Sequence, residues 1–165
     1  METFSNIASN ARVWVYGSNR KFTPSESMTI QDKLDNFTAS WSSHDMPMKA
    51  EGAILFNQLI IIALDERVNS ISGCGIDKSV QLMKDLGAMY QINFFDRLLI
   101  FTNMGLDLKA FDKKSLQAAI DAGEVSEDTL VLNPILKDLG DFNQNGFVPL
   151  STFWMAPQLN FLVQP

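Results

Sequence analysis

The sequence predicts an α+β fold built on a ferredoxin-like, split β-α-β-β-α-β core, an antiparallel sheet with two helices on one face. Three observations lead there. Extended and helical patterns alternate in that order across residues 11–103. The first helix opens on an explicit capping signal. The third strand is apolar on both faces, as a central strand in a covered sheet must be.

The first strand is "RVWVY" at 12–16, β-branched and aromatic. After "GSNRK", Thr23 stands as an N-cap, with Pro24 at the first helical position and Glu26 three residues beyond the cap. Ile30, Leu34, Phe37 and Trp41 recur at helical spacing and give this helix one apolar face to about residue 42. "SSHDMP" reads as a loop. "EGAILF" and "LIIIALDE" form a hairpin with Asn57-Gln58 as its turn, because Asn tolerates positive φ. "RVNSISGCG" is the next loop. Asp77 caps a second helix carrying Val80, Met83 and Tyr90, with Leu82, Leu86 and Met89 beside them. "RLLIFT" at 97–102 completes the core as its fourth strand.

Beyond residue 103, "NMG" turns into a fifth strand, "LDLKAF". Asp112 caps a short helix ending near Gly123, "TLVLN" at 129–133 is a sixth strand, and a short helix surrounds "STFWM". The residues after 133 have no predicted place in the architecture. Phe153, Trp154 and Phe161 read as packing residues of an extension that covers a face or edge of the sheet. The chain is therefore expected to be one domain, 1–165, with a core at about 11–103 and an extension at about 104–165.

Composition narrows the function classes. With 46% hydrophobic and 19% charged residues, the chain can build a sizeable core. A net charge of −6 without a basic run disfavours nucleic acid as a partner, since an acidic surface repels phosphate backbones. The single cysteine, Cys74, allows no internal disulfide and suits a reducing compartment. The N-terminus has neither the basic nor the apolar segment of a signal peptide. The apolar run "LIIIAL" falls far short of the roughly 20 residues that span a bilayer. A cytoplasmic protein without a membrane partner is the expectation.

One stretch invites a specific chemistry. "SGCGIDKSV" at 72–80 is close to "SGCGKST", the phosphate-binding loop of many ABC transporter ATPases, and "IIIALDE" at 60–66 is close to a Walker B strand. The spacing does not fit G-x-x-x-x-G-K-[ST]. With Gly75 as the second glycine, the first would be Ser70, the lysine Ile76 and the hydroxyl residue Asp77. Lys78-Ser79 come two residues late. The Walker-like strand precedes the loop instead of following it, and no "LSGGQ" lies between them. ATP hydrolysis is therefore not expected, and no cofactor is.

The segments "VWVYGSNRKFT", "FNQLIIIALDE", "SGCGIDKSV" and "FFDRL" resemble those of a group of small, uncharacterised bacterial proteins of about this length, often labelled "ABC transporter ATPase". The resemblance covers most of the first hundred residues, and the C-terminal third matches less clearly. It implies a shared fold family and carries no mechanism.

The predicted topology gathers Arg12, Asp65, Glu66 and the turn Ser72, Gly73, Cys74, Gly75 and Asp77 at one end of the sheet. Cys74 is the only thiol. Near a helix N-terminus it would be a candidate nucleophile or redox group, and the flanking glycines would let a ligand approach the backbone. Against this, no histidine is near in sequence, His44 lies in another loop, and two acids would oppose a thiolate. The plainer structural expectation is a buried thiol in a tight strand-to-helix turn. The other end of the sheet holds Asn19, Arg20, Lys21, Asp96 and Arg97, which could grip a carboxylate or phosphate, or simply close loops through Asp96–Arg20 or Asp96–Arg97 pairs.

"DFNQNGFVPLST" at 141–152 begins like a calcium loop, with Asp141, Asn143, Asn145 and Gly146 in place, but Thr152 stands where a bidentate glutamate belongs. An Asx turn with Gly146 at positive φ is the expectation there, and no metal. One His and one Cys do not make a zinc site. These readings converge on a non-catalytic module that binds a protein or small-molecule partner and could pair as a homodimer. The alternative is a small enzyme or redox-sensitive protein using the 72–77 turn with Cys74.

Overall fold

The computed structural model describes residues 4–161. In chain order the elements are β1 (Arg12–Gly17), α1 (Pro24–Ser40), β2 (Ser42–Ser43), β3 (Met46–Pro47), β4 (Lys49–Leu55), β5 (Leu59–Asp65), α2 (Gly73–Tyr90), β6 (Ile100–Asn103), β7 (Leu108–Phe111), α3 (Lys113–Asp121), β8 (Leu130–Leu132), α4 (Leu139–Asn145) and β9 (Phe147–Pro149). Two short 3-10 turns follow, at Leu150–Thr152 and Ala156–Gln158. The chain is mixed α+β, and the described residues form three antiparallel sheets, ordered β1-β5-β4, β2-β3 and β7-β6-β8-β9.

β5 organises this arrangement, and every one of its residues is buried. Ile60, Ile62 and Leu64 face α1 and α2, packing with Ile30, Leu34, Met83 and Leu86. Leu59, Ile61 and Ala63 face the four-stranded sheet and α4, packing with Phe101, Leu108, Leu139 and Phe142. The far side of that second sheet buries Ile100 and Val131 against Leu116, Ala119 and Ile120 of α3. The layers therefore run helices, sheet, sheet, helix. A strand covered on both faces needs the unbroken apolar run that β5 carries.

The capping box forms as its sequence requires. Thr23 Oγ1 accepts from Glu26 N at 3.2 Å, and Glu26 Oε2 accepts from Thr23 N at 2.9 Å. Asp112 likewise caps α3, accepting from Ser115 N at 2.7 Å.

Several boundaries differ from expectation. The β4–β5 turn is Phe56-Asn57, with φ of 55° and 52°, one residue earlier than Asn57-Gln58. Gln58 cannot serve in the turn because it is committed to Ser18. Its carbonyl accepts from Ser18 N and its Nε2 donates to Ser18 O, both at 2.9 Å. "SSHDMP" is a tight hairpin, β2–β3, with His44 and Asp45 both left-handed at φ 53° and 61°. Two left-handed central residues are what a type I′ turn demands, though the usual Asn-Gly signal is missing.

α2 is capped by Ser72, whose Oγ accepts from Gly75 N at 3.1 Å. It starts well before Asp77, which is an exposed residue within the helix.

The hydrogen-bonded first sheet holds three of the four core strands, with β5 at its centre. The fourth, β6, pairs with β7 and β8 instead. Ile92 and Phe94, in the segment leading to β6, are drawn into the helix-side core, while Phe101 covers the opposite face of the first sheet. α4 meanwhile ties down the chain just before β1, with Leu139 N donating to Ala11 O and Gly140 N to Ser9 O. The tail thus has a place: α4 completes the core between the sheets, and Leu150, Phe153, Met155 and Leu159 complete the core under α3. Phe153 is buried and Phe161 packs against the same core, but Trp154 is 53% exposed and is not a core residue.

Candidate functional site

The candidate site lies where the β2–β3 hairpin meets the first turn of α2. Ser43 Oγ, itself buried, accepts from Ser72 N at 3.0 Å and donates to Ser72 Oγ at 2.9 Å. Trp41 Nε1 donates to Gly75 O at 3.0 Å in the interior. The Trp41 ring packs 4.8 Å from Phe37 and 6.1 Å from Trp14, and the Arg12 guanidinium sits 5.0 Å from the centre of the Trp14 ring, a cation–π contact. Asn69 Nδ2 donates to Ser43 O at 3.2 Å and to Met46 O at 3.4 Å, joining the 66–71 loop to the hairpin. Glu66 Oε1 accepts from Ile71 N at 3.2 Å and closes that loop.

Cys74 is exposed, contrary to the expected buried thiol. The cap explains why. With Ser72 as N-cap, helical periodicity turns Gly75 and Ser79 inward and Cys74 outward. Gly75 has no room for a side chain, since a Cβ there would stand 2.8 Å from Ile71 Cγ1. His44 is exposed on the hairpin that Ser43 ties to Ser72, so the only histidine and the only cysteine belong to two segments that are bonded together. Sequence distance concealed this. Ser72, Gly73 and Gly75 form a capped helical turn rather than an open loop, because Gly75 has its N–H bonded to Ser72 and its C=O to Trp41.

Asp65 is 1% exposed and gripped by Arg67, whose Nε donates to Oδ1 at 2.9 Å, a terminal nitrogen to Oδ2 at 2.7 Å, and backbone N–H to Oδ1 at 3.1 Å. The Arg67 side-chain bonds first, then its backbone N–H and the charges of Arg67 and Lys49, lower the Asp65 carboxyl to about 2. Asp65 is thus occupied in closing the strand end. At the other end, Glu26 is lowered to about 2 by Arg20 and by the Thr23 N–H.

Carboxyls depressed in the folded state stabilise it fully above their ordinary values, and that stability is lost as pH falls through the folded values. Tm is therefore expected to drop as pH is lowered from about 4.5 toward about 2. Asp65→Asn should flatten that acid limb in thermal scans followed by circular dichroism. Salt should shrink the effect, since Arg67 is 61% exposed.

The second charged cluster is not assembled as expected. Arg20 binds both oxygens of Glu26, at 2.8 and 3.0 Å, and Tyr90 O at 3.1 Å. The same Glu26 closes the capping box, so one carboxylate serves both the helix cap and Arg20. Asp96 Oδ1 accepts from Leu98 N at 3.0 Å and shapes its own turn, and Lys21 pairs with Asp107. No hydrogen bond joins Asn19 or Arg97 to this group among the described residues.

Asp141, Asn143 and Asn145 lie on α4, not in a calcium-type loop. Asp141 accepts from Asn145 Nδ2 at 2.8 Å and from Lys137 N at 2.9 Å, and Gly146 has φ −61° rather than positive φ. A cavity of about 380 Å³ lies by Ile120, Val125 and Phe161 near the end of α3, away from every candidate residue.

Reading residues alone missed Ser43, Arg67 and Asn69. Arg67 was the most readable of them, as a cation two residues after a buried-strand acid. No family model matches this chain, and no match was found among curated proteins or solved structures.

Proposed function

We propose that this chain is a non-catalytic binding module that engages a protein or small-molecule partner through the β2–β3 hairpin, the 66–71 loop and the first turn of α2. The observation that carries this reading is the fixed surface made by the Ser43–Ser72, Trp41–Gly75 and Asn69–Met46 bonds, with Cys74 and His44 exposed on it. Met46 and Val68 are 54% and 66% exposed beside it, the kind of apolar contact a protein partner covers. A cysteine-directed crosslinker at Cys74 tests it. Wild-type protein should capture a partner from a lysate of its source cells, and Met46→Glu and Val68→Glu should lose that capture at unchanged Tm. Capture indifferent to both substitutions would sink the reading.

The ferredoxin-like frame belongs to the same proposal, supported by the β1-β5-β4 order with both helices on one face. So do the kinship with the bacterial group labelled "ABC transporter ATPase" and a cytoplasmic location. Fold analogy adds a homodimer.

A second reading, a redox-sensitive protein or small enzyme using Cys74, draws support from the exposure of the thiol. It predicts that Cys74→Ser abolishes the response to mild peroxide, whereas the binding reading predicts that Cys74→Ser still binds its partner. For the nucleotide label, the capped and plugged first turn of α2 predicts no rise in Tm with millimolar magnesium-ATP. A clear rise would mean that a nucleotide binds the folded state.

A further inference from the structure

We propose that Asn145 is a site of spontaneous deamidation whose rate is set by the opening of α4. In an Asn-Gly sequence, the glycine amide nitrogen reaches the neighbouring side-chain amide with little hindrance, because glycine has no Cβ. The Gly146 N–Cγ bond forms and the bond from Cγ to the Asn145 side-chain nitrogen breaks. That nitrogen leaves as ammonia, taking the Gly146 amide proton. Water then opens the succinimide at either carbonyl, leaving aspartate or isoaspartate. The balance is one water in and one ammonia out, with no oxidant or reductant.

The folded geometry opposes this attack at each partner. Gly146 N donates to Phe142 O at 2.9 Å, with helical φ −61° and ψ −28°. Asn145 Nδ2 is held by Asp141 Oδ1 at 2.8 Å. Asn133 clamps the same corner, its Nδ2 donating to Asn145 O at 3.1 Å and its N to Gly146 O at 2.8 Å. The nucleophile and the amide it would attack become free together only when the last turn of α4 opens.

The fold also keeps the reactive pair in place. Gly146 is buried, and a Cβ there would stand 2.4 Å from Phe142 O and 3.1 Å from the Phe142 ring. After reaction, a carboxylate faces Asp141 where an amide donor had been, and like charges repel. Isoaspartate further lengthens the backbone in the turn that Asn133 clamps. α4 carries Leu139 and Phe142 into the core between the sheets. The modification is thus a one-way chemical record of α4 opening that weakens its closing.

The test follows wild-type protein in warm neutral buffer, folded and in denaturant, by peptide mapping with isoaspartate detection. Two variants are run folded: Asp138→Ala, which removes the cap bond to Asp141 N, and Asp141→Ala, which removes the Asn145 anchor. The expected result is modification at Asn145 at least roughly tenfold slower in the folded than in the unfolded chain. It should be several-fold faster in at least one variant whose circular dichroism is unchanged. Equal folded and unfolded rates would overturn the gating. An unmodified Asn145 in the unfolded chain would overturn the site. Folded variants that both match wild type would overturn α4 as the gate.

Discussion

Trp41→Ala is expected to cost about 3–5 kcal/mol of folding stability, the usual range for a large aromatic removed from a core. Trp41 is only 2% exposed, and it joins three elements: its ring packs on Phe37 of α1 and Trp14 of β1, and its Nε1 bonds Gly75 O of α2. Trp41→Phe separates these contributions. It keeps most of the ring contact but removes the side-chain donor to Gly75 O, which keeps its helical partner, so the expected cost is that of one hydrogen bond, about 0.5–1.5 kcal/mol. Denaturant unfolding of both variants measures the difference. A Trp41→Phe variant as stable as wild type would show that the Gly75 bond contributes nothing.

The second large effect lies between the two sheets. Phe101→Ala is expected to cost about 3–5 kcal/mol. Its ring fills the space where Gly17 has no side chain, and a Cβ on Gly17 would stand 2.1 Å from the ring Cζ. Gly17→Ala in the wild-type background should therefore cost about 1–3 kcal/mol by overpacking. In the Phe101→Ala background the added methyl enters vacated space, so the same change should cost little or stabilise. Denaturant unfolding of the four proteins gives the coupling. Additive costs would contradict the stacking of the first sheet on β6.

What the sequence disclosed follows the range of the interactions. The Thr23 and Asp112 caps were readable because cap and partner lie three residues apart. β5 was readable because burial on both faces writes itself as an unbroken apolar run. The second sheet was not readable, since nothing in "RLLIFT" says whether its partner is β1 or a strand still to come. The site shows how one boundary propagates. With Asp77 as the cap, Cys74 falls in a turn, and its burial is expected only because a lone cysteine is usually a small core residue. The cap at Ser72 turns Gly75 inward and Cys74 outward. The Ser43–Ser72 stitch spans 29 positions and two serines, a pairing with no signature in a single chain.

The exposed surface at the start of α2 is tested most directly by alkylation of Cys74 with iodoacetamide under native conditions, followed by intact mass. The chain has one thiol, so the signal has one source. One complete addition to the folded protein is expected, at a rate insensitive to denaturant below the unfolding transition and with Tm unchanged. Labelling that appears only as the protein unfolds would place Cys74 in the interior, and the proposed binding surface at the start of α2 would fall with it.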